Sequence, residues 1–253
     1  MIKVSKEHLH KLSPLFSHHQ YDKVILNTVL EGYHGHAYVD SLENPKIARL
    51  DSGTFTLLAG DANLPEAEEL LKFKAIQIVT PETEEWAKLI HKIYPSSISQ
   101  IEFTECFSTS INSCYLDDFI NMIPSDYHIK EIDLSLAERI ANEMENDYFL
   151  EHFSSVNDFL LRGIGYCILH NNQIVSAATS TAACQHAIDV EIKTQPDYQR
   201  TGLGTIIGAT LVKGCLQKNI DPKWIAANKR SRKLAEKLGY TSGSSYLTLI
   251  INE

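Results

Sequence analysis

The chain has 253 residues, 43% hydrophobic and 22% charged, which is an ordinary globular composition long enough for one or two domains. Glycine and proline are too sparse for low-complexity disorder, no apolar run reaches the roughly 18 residues of a membrane-crossing helix, and the opening MIKVSKEHLHKLSPLF carries charge where an export signal needs an apolar stretch, so a cytoplasmic protein with no membrane partner is expected. The net charge of −9 argues against a general nucleic-acid binder, and five cysteines without a C-x-x-C pair argue against a disulfide framework or a zinc site.

The first 20 residues put Leu9, Leu12, Leu15 and Phe16 on one helical face, and residues 21–31 continue as a second short helix closed by Gly32 and Gly35. Three extended runs follow, HAYVDS, KIARLDS and TFTLLAGD, punctuated by Gly53 and Gly60. Pro65 opens a helix, PEAEELLKF, whose glutamates suit its N-terminus. AIQIVT reads as a short strand. Pro81 opens the helix PETEEWAKLIHKIY, which Pro95 ends, and ISQIEFTECFST closes this part as a strand with Ile101 and Phe103 on one face. The turn-rich stretch Asn121 to Asp126 marks a domain boundary near residue 125, separating an N-terminal α/β domain, 1–125, from a second domain, 126–253. His34 and His36 would share a face of a strand, but no carboxylate or cysteine set completes a metal site.

In the second half YHIKEID is a strand, followed by helices over about 134–146 and 155–162. GYCILH and QIVSAATSTA form a hairpin across Asn171 and Asn172. HAIDVEIKT alternates most clearly, with Ile188, Val190 and Ile192 on one face and Asp189, Glu191 and Lys193 on the other. A long helix covers about 202–218, WIAA is a short strand, a helix over about 229–238 ends at Gly239, and SYLTLII is the last strand. The whole reads as a mixed α/β layer fold.

Charge is uneven along the chain. Residues 196–240 hold nine basic and three acidic side chains, a net +6 against −15 for the rest, which suggests a specific anionic ligand. Inside that segment a strand ends, and Gln199-Arg200-Thr201-Gly202-Leu203-Gly204-Thr205 leads into the long helix. Successive main-chain N–H groups at such a turn form an anion-binding concavity, and Gly202 and Gly204 remove side chains where a phosphate would approach. A P-loop would need a lysine after the second glycine, and a dinucleotide fingerprint a third glycine at Ile207; neither is present.

The Q-x-x-G-x-G spacing from Gln199 to Gly204 resembles the coenzyme A pyrophosphate loop of the GCN5-related N-acetyltransferases (GNAT). The lead-in Gln195-Pro196-Asp197-Tyr198, the strand Trp224 to Asn228 and the run Ala235-Glu236-Lys237-Leu238-Gly239-Tyr240 come in that family's order, over residues 126–253. The wording P-x-W-x-A-A-N-x-x-S-x-x-L-A-E-K-L-G-Y is similar to a two-domain bacterial subgroup that includes zwittermicin-resistance acetyltransferases. The resemblance implies a C-terminal GNAT fold around a central mixed sheet. The N-terminal domain repeats the strand and helix order without the glycine loop, as a degenerate, cofactor-free copy or an unrelated cap.

The resemblance further implies transfer of acetyl from acetyl-CoA to an amine of a small molecule, without a metal. The alternatives are an acyl-CoA-sensing module or a protein N-acetyltransferase, and a homodimer is compatible with either. By resemblance, Gln199, Arg200, Thr201, Gly202, Leu203, Gly204 and Thr205 hold the pyrophosphate; Ile192, Lys193 and Thr194 pair with the pantetheine arm; and Asn228 and Ser231 lie beside it. Lys229, Arg230, Arg232 and Lys233 could meet the ribose phosphate or simply form a solvated helix face. Glu191, with Asp189 second, is the expected base. The family's tyrosine acid falls on Ala235, which leaves Ser231, water or the more distant Tyr246 for that step. Cys167 and Cys184 are expected to pack rather than react, and Tyr148, Phe149, Phe153, Phe159 and Tyr166 to be mostly core, near the acceptor end.

Overall fold

The computed structural model describes residues 1–109, 111–144 and 149–252. By their contacts they form two compact units, Met1–Glu102 with Tyr246–Glu253, and Phe103–Ser245. The sequence boundary near residue 125 lies inside the second of these. Among the described residues no helix is long and apolar enough to cross a membrane.

The first unit runs β1 (Ile2–Lys3), a 3-10 helix (Lys6–Leu12), α1 (Lys23–Leu30), β2 (His36–Val39), β3 (Ile47–Ser52), β4 (Phe55–Gly60), α2 (Pro65–Lys72), β5 (Ile78–Val79) and α3 (Glu84–Ile93). Its sheet is ordered β1-β2-β3-β4-β5, and β5 then pairs with the end of the chain's last strand, Leu249 against Val79. Two expectations are corrected here. The opening helix is 3-10 rather than α and ends at Leu12; Ser13 still has helical backbone, and Pro14, lacking an N–H, cannot donate the next bond of the series. The helix expected from Pro81 starts at Glu84, because Thr83 caps it, its hydroxyl accepting from the Trp86 N–H. Arg49, fully buried, donates to the carbonyls of Leu70 within α2 and of Lys74 and Ala75 just past it, and to Asp51 at 2.8 Å. That pairing is what makes a buried guanidinium tolerable.

The second unit takes the latter half of β6 (Ile98–Phe107), then α4 (Ser113–Ile120), β7 (Tyr127–Glu131), α5 (Leu134–Glu143), α6 (Val156–Arg162), β8 (Gly165–His170), β9 (Gln173–Ala183), β10 (Ala187–Thr194), α7 (Leu203–Gln217), β11 (Asp221–Ala226), α8 (Lys229–Lys237) and the start of β12 (Thr241–Ile251). Its strands are ordered β6-β11-β10-β9-β8-β7. Helix α4, capped by Asn112, is absent from the sequence reading. Helix α7 is apolar almost all round, with Leu203, Ile206, Ile207, Leu211, Val212 and Cys215 buried, because the sheet lies on one side and α4 on the other. A Cβ on Gly208 would stand 2.7 Å from the Ile192 side chain, so this glycine lets α7 settle onto β10.

Candidate active site

The site is built where two parallel strands part. β10 and β11 pair from Ala187↔Asp221 to Asp189↔Lys223 and no further. Beyond that point β11 turns to β6, with Trp224↔Cys106, Ile225↔Glu105 and Ala226↔Thr104. β10 continues to Thr194 with β9 on one edge only, Glu191↔Thr179 to Thr194↔Ser176. The gap is a cleft of about 720 Å³, within the range of small-ligand sites. One wall is Val190–Pro196, another the α8 cap with Asn228 and Ser231, and Gln199 and Gly204 stand at the loop end.

Alternation assigns the faces of β10. Ile192 meets α7 through Gly208, and Thr194 bonds Ser176 at 2.8 Å and lies 3.5 Å from a Cβ built on Gly204. Glu191 therefore points to the opposite face, together with its cross-strand partner Thr179. A Cβ on Gly165 would touch both the Thr179 and Phe159 side chains, so this is the face that α6 covers. Phe149, Phe153 and Phe159 pack edge to face there and are buried. Tyr166 instead meets α7 at Gly214, and Tyr148 lies outside the described residues.

The loop before α7 has unusual backbone. Arg200 has φ 64° and Gly202, the α7 N-cap, has φ 94° with no atom within 4 Å of a Cβ built on it. Side chains hold this turn: Gln199 Nε2 donates to the Thr194 carbonyl at 3.1 Å, Arg230 Nη1 to Gln199 Oε1 at 3.0 Å, and Thr201 Oγ1 to the Tyr198 carbonyl at 2.6 Å. Thr205 is already engaged, its N–H donating to the Gly202 carbonyl at 2.9 Å. Four cations, Lys229, Arg230, Arg232 and Lys233, sit in and just past the first turn of α8, where the helix dipole opposes positive charge. An anionic ligand would offset that conflict. On the cleft wall, Arg139 holds the Glu143 carboxyl below its usual range, and Glu143 in turn accepts from the Ile174 N–H at 3.0 Å.

The family model for GNAT acetyltransferase matches residues 13–249. The chain belongs to the GNAT acetyltransferase family. It is similar to a GCN5-related N-acetyltransferase-like protein from Streptococcus suis 89/1591, at 29% identity and a TM-score of 0.85, over 97% of this chain and 99% of that one. It also shares the fold of a tandem GNAT protein from the clavulanic acid biosynthesis pathway, at 10% identity and a TM-score of 0.64, over 98% and 96% of the two chains. A curated relative, the uncharacterized N-acetyltransferase YdfB of Bacillus subtilis (strain 168), is 28% identical over 126 residues. That match spans 49% of this chain and about half, 48%, of the relative.

Within this GNAT fold the cleft brings together Glu191, Ile192, Lys193, Thr194, Gln199, Gly204, Asn228 and Ser231. Asp189, Arg200, Thr201, Gly202, Leu203 and Thr205 do not line it; Leu203 is buried in the α7 core. Asn228 and Ser231 also have local work, since Asn228 Oδ1 caps α8 by accepting from the Ser231 N–H at 2.9 Å. Tyr246 belongs to the other unit, where it stacks on Tyr21 at 4.0 Å, and is not among the residues that line the cleft. Cys167 is buried, and burial pushes its thiol up to about 11, which suits packing rather than nucleophilic work. His34 bonds Ser52 at 3.0 Å, and among the described residues no group of three or more His, Cys, Asp or Glu is placed to hold a metal. Trp224, Ile225, Leu234, Glu143, Met144 and Gln173 line the cleft without having been singled out as site residues.

Proposed function

We propose that the second unit transfers an acetyl group from acetyl-CoA to a primary amine of a small molecule, with Glu191 as the base. The observation that carries the reading is the parting of β10 from β11 after Asp189 and Lys223. The residues present fit the cofactor: β10 offers a strand edge from Val190 to Thr194, Gly204 keeps the loop end of the cleft clear, and the cations of α8 face an otherwise unfavourable dipole.

Acetyl-CoA supplies an acetyl group already activated as a thioester. Residues Ile192 to Thr194 would align its pantetheine arm by main-chain hydrogen bonds. The N–H groups at Gly202, Leu203 and Gly204 would hold its pyrophosphate at the α7 N-terminus, and Arg230, itself fixed on Gln199, would add charge. An ammonium substrate cannot attack until it loses a proton. Glu191 lines the cleft, and its carboxylate would attract that ammonium and take its proton. Asp189 lies outside the cleft lining, which favours Glu191 over it.

The test is steady-state kinetics of Glu191→Gln and Asp189→Asn with acetyl-CoA and a panel of amines. Glu191→Gln should lower kcat by about 100-fold or more while leaving the Kd for CoA unchanged, and Asp189→Asn should lower it far less. Equal losses in the two variants would remove Glu191 from its role. CoA binding without turnover of any amine would point instead to an acyl-CoA-sensing module.

A further inference from the structure

The cleft-facing side chains of α8 are Asn228, Arg230, Ser231 and Leu234. Ala235, where the family resemblance calls for a tyrosine, is fully buried in the cluster that holds Trp224, Leu238 and Tyr240. The phenol that would steady a departing sulfur is therefore missing at that position, and one of the large rings packed in that part of the core is an indole coming from β11.

That indole is not idle. Trp224 is only 3% exposed, and its Nε1–H donates to Ser231 Oγ at 3.0 Å. The Ser231 N–H is fixed as well, on Asn228 Oδ1 at 2.9 Å. An indole can only donate, so Ser231 Oγ must accept on that side, and its own proton is left for another partner. Among the described residues Ser231 Oγ has no second hydrogen bond. A hydroxyl that accepts one strong bond is a better donor of the next. Oriented by both its backbone and its oxygen, Ser231 presents that donor to the cleft.

We propose that Ser231, held and polarised by Trp224, donates a hydrogen bond to the sulfur of coenzyme A as the thiolate departs; the proposal rests on the acetyl-transfer reading. The amine nitrogen forms its bond to the acetyl carbon while the carbon–sulfur bond breaks. The first proton of the ammonium has by then passed by way of Glu191 to water; as the new bond forms, the second goes from nitrogen to Glu191, the electron pair of the broken bond stays on sulfur, and Ser231 keeps its own proton. No proton needs to leave the serine, whose alkoxide would be far more basic than the thiolate it stabilises. Ser231 is thus the catalytic residue and Trp224 the positioning residue.

The test measures the ionisation of the thiol of bound CoA, by thiolate ultraviolet absorbance across pH, in the wild type, Ser231→Ala, Ser231→Thr and Trp224→Phe. A lost bond to a charged sulfur should raise the bound thiol by about one pKa unit in Ser231→Ala, a tenfold change in ionisation. Ser231→Thr should restore the wild-type value, and Trp224→Phe should lie between the extremes. In parallel, kcat should fall by about 100-fold in Ser231→Ala with little change in the KM for acetyl-CoA. Wild-type thiol ionisation in Ser231→Ala, or in Trp224→Phe should the alanine variant not fold, overturns this proposal and leaves the acetyl-transfer reading standing. A wild-type protein that binds no CoA overturns both.

Discussion

Gly202 is the position where fold and ligand can be separated by charge alone. Its φ of 94° disfavours any side chain, yet a Cβ there meets nothing within 4 Å. Replacement therefore costs backbone strain, about 1–2 kcal/mol, and no collision. For a chain of this size that lowers Tm by about 2–8 °C. Gly202→Asn and Gly202→Asp share this strain and nearly the same shape. In the free protein the aspartate is at no disadvantage, since a carboxylate at the α7 N-terminus gains about 0.3–1 kcal/mol from the dipole.

With ligand the order reverses. A carboxylate about 5 Å from one pyrophosphate charge, at an effective dielectric of about 20, is repelled by about 3 kcal/mol, which weakens binding more than about 100-fold. The assay is calorimetric titration with CoA beside thermal melts with and without it. Wild-type protein at about 100 times Kd should gain about 2.7 kcal/mol. Gly202→Asn should keep part of that gain, and Gly202→Asp should lose it while melting, unliganded, at or above the asparagine variant. Equal CoA affinity in the two variants would refute a pyrophosphate at this helix end.

Gly204→Ala should separate the same two properties with opposite signs. The alanine improves helix propensity by about 1 kcal/mol and its Cβ meets Thr194 Oγ1 at an ordinary 3.5 Å, so the free protein should melt higher while the methyl in the cleft weakens CoA binding; a tighter complex would contradict the cleft assignment. In the first unit, burial and after it the Lys23 ammonium lower the His19 imidazole to about 4, although Glu82 Oε1 stands 3.3 Å away. The unfolded chain then takes up the proton first, so stability should be lost as pH falls from about 6.5 towards 4, by up to about 3 kcal/mol. Glu82, pushed up by its own burial, offsets part of this at the acid end. Urea unfolding at pH 7 and 5 should show the loss in the wild type and a flatter response in His19→Gln; equal slopes would remove His19 as the source.

The parts of the fold that were legible in the sequence are those written in local patterns. The alternation of Ile188, Val190 and Ile192 correctly gives the inner face of β10, because a period of two reports faces. Asn171 and Asn172 take φ of 50° and 64°, the left-handed pair a two-residue hairpin demands. A period of two says nothing about edges, however, and the cleft is an edge phenomenon. That β11 leaves β10 for β6, and that the last strand ends on β5, are pairings across more than 100 positions that no window of sequence contains. Helix α4 had readable signals, the Asn112 cap with Leu116 and Phe119 inside, but turn residues on both sides masked them. The Trp224 to Ser231 hydrogen bond joins a strand to a helix cap, and nothing in their spacing announces it.

From β1 in one and β7 in the other, the two units run one plan, strand, helices, three strands, helix, strand, helix, and among their differences is the residue three places past the cap of the last helix. In both, the fourth strand pairs in parallel with the fifth only briefly, through Thr56↔Val79 in one and Asp189↔Lys223 in the other, and then runs on paired along its other edge alone. In both, the next helix is capped by a side chain that accepts from the N–H three residues on, Thr83 from Trp86 and Asn228 from Ser231. Trp86 and Ser231 are therefore counterparts. The serine is small and lines the cleft. The tryptophan is 1% exposed and reaches to the end of β4, its Nε1–H donating to the Gly60 carbonyl at 3.1 Å. An indole thus stands in the first unit where the second has the small serine of its cleft. Glu66 and Glu68 in the first turn of α2 add negative charge where the second unit has the glycine loop. The consequence is a stoichiometry: calorimetry should find one CoA per chain, and the heat should vanish with Gly202→Asp. Two sites per chain would mean that Trp86 yields, an opening that discards a buried indole worth about 3–5 kcal/mol, roughly 40–60% of a micromolar affinity if that were the only cost.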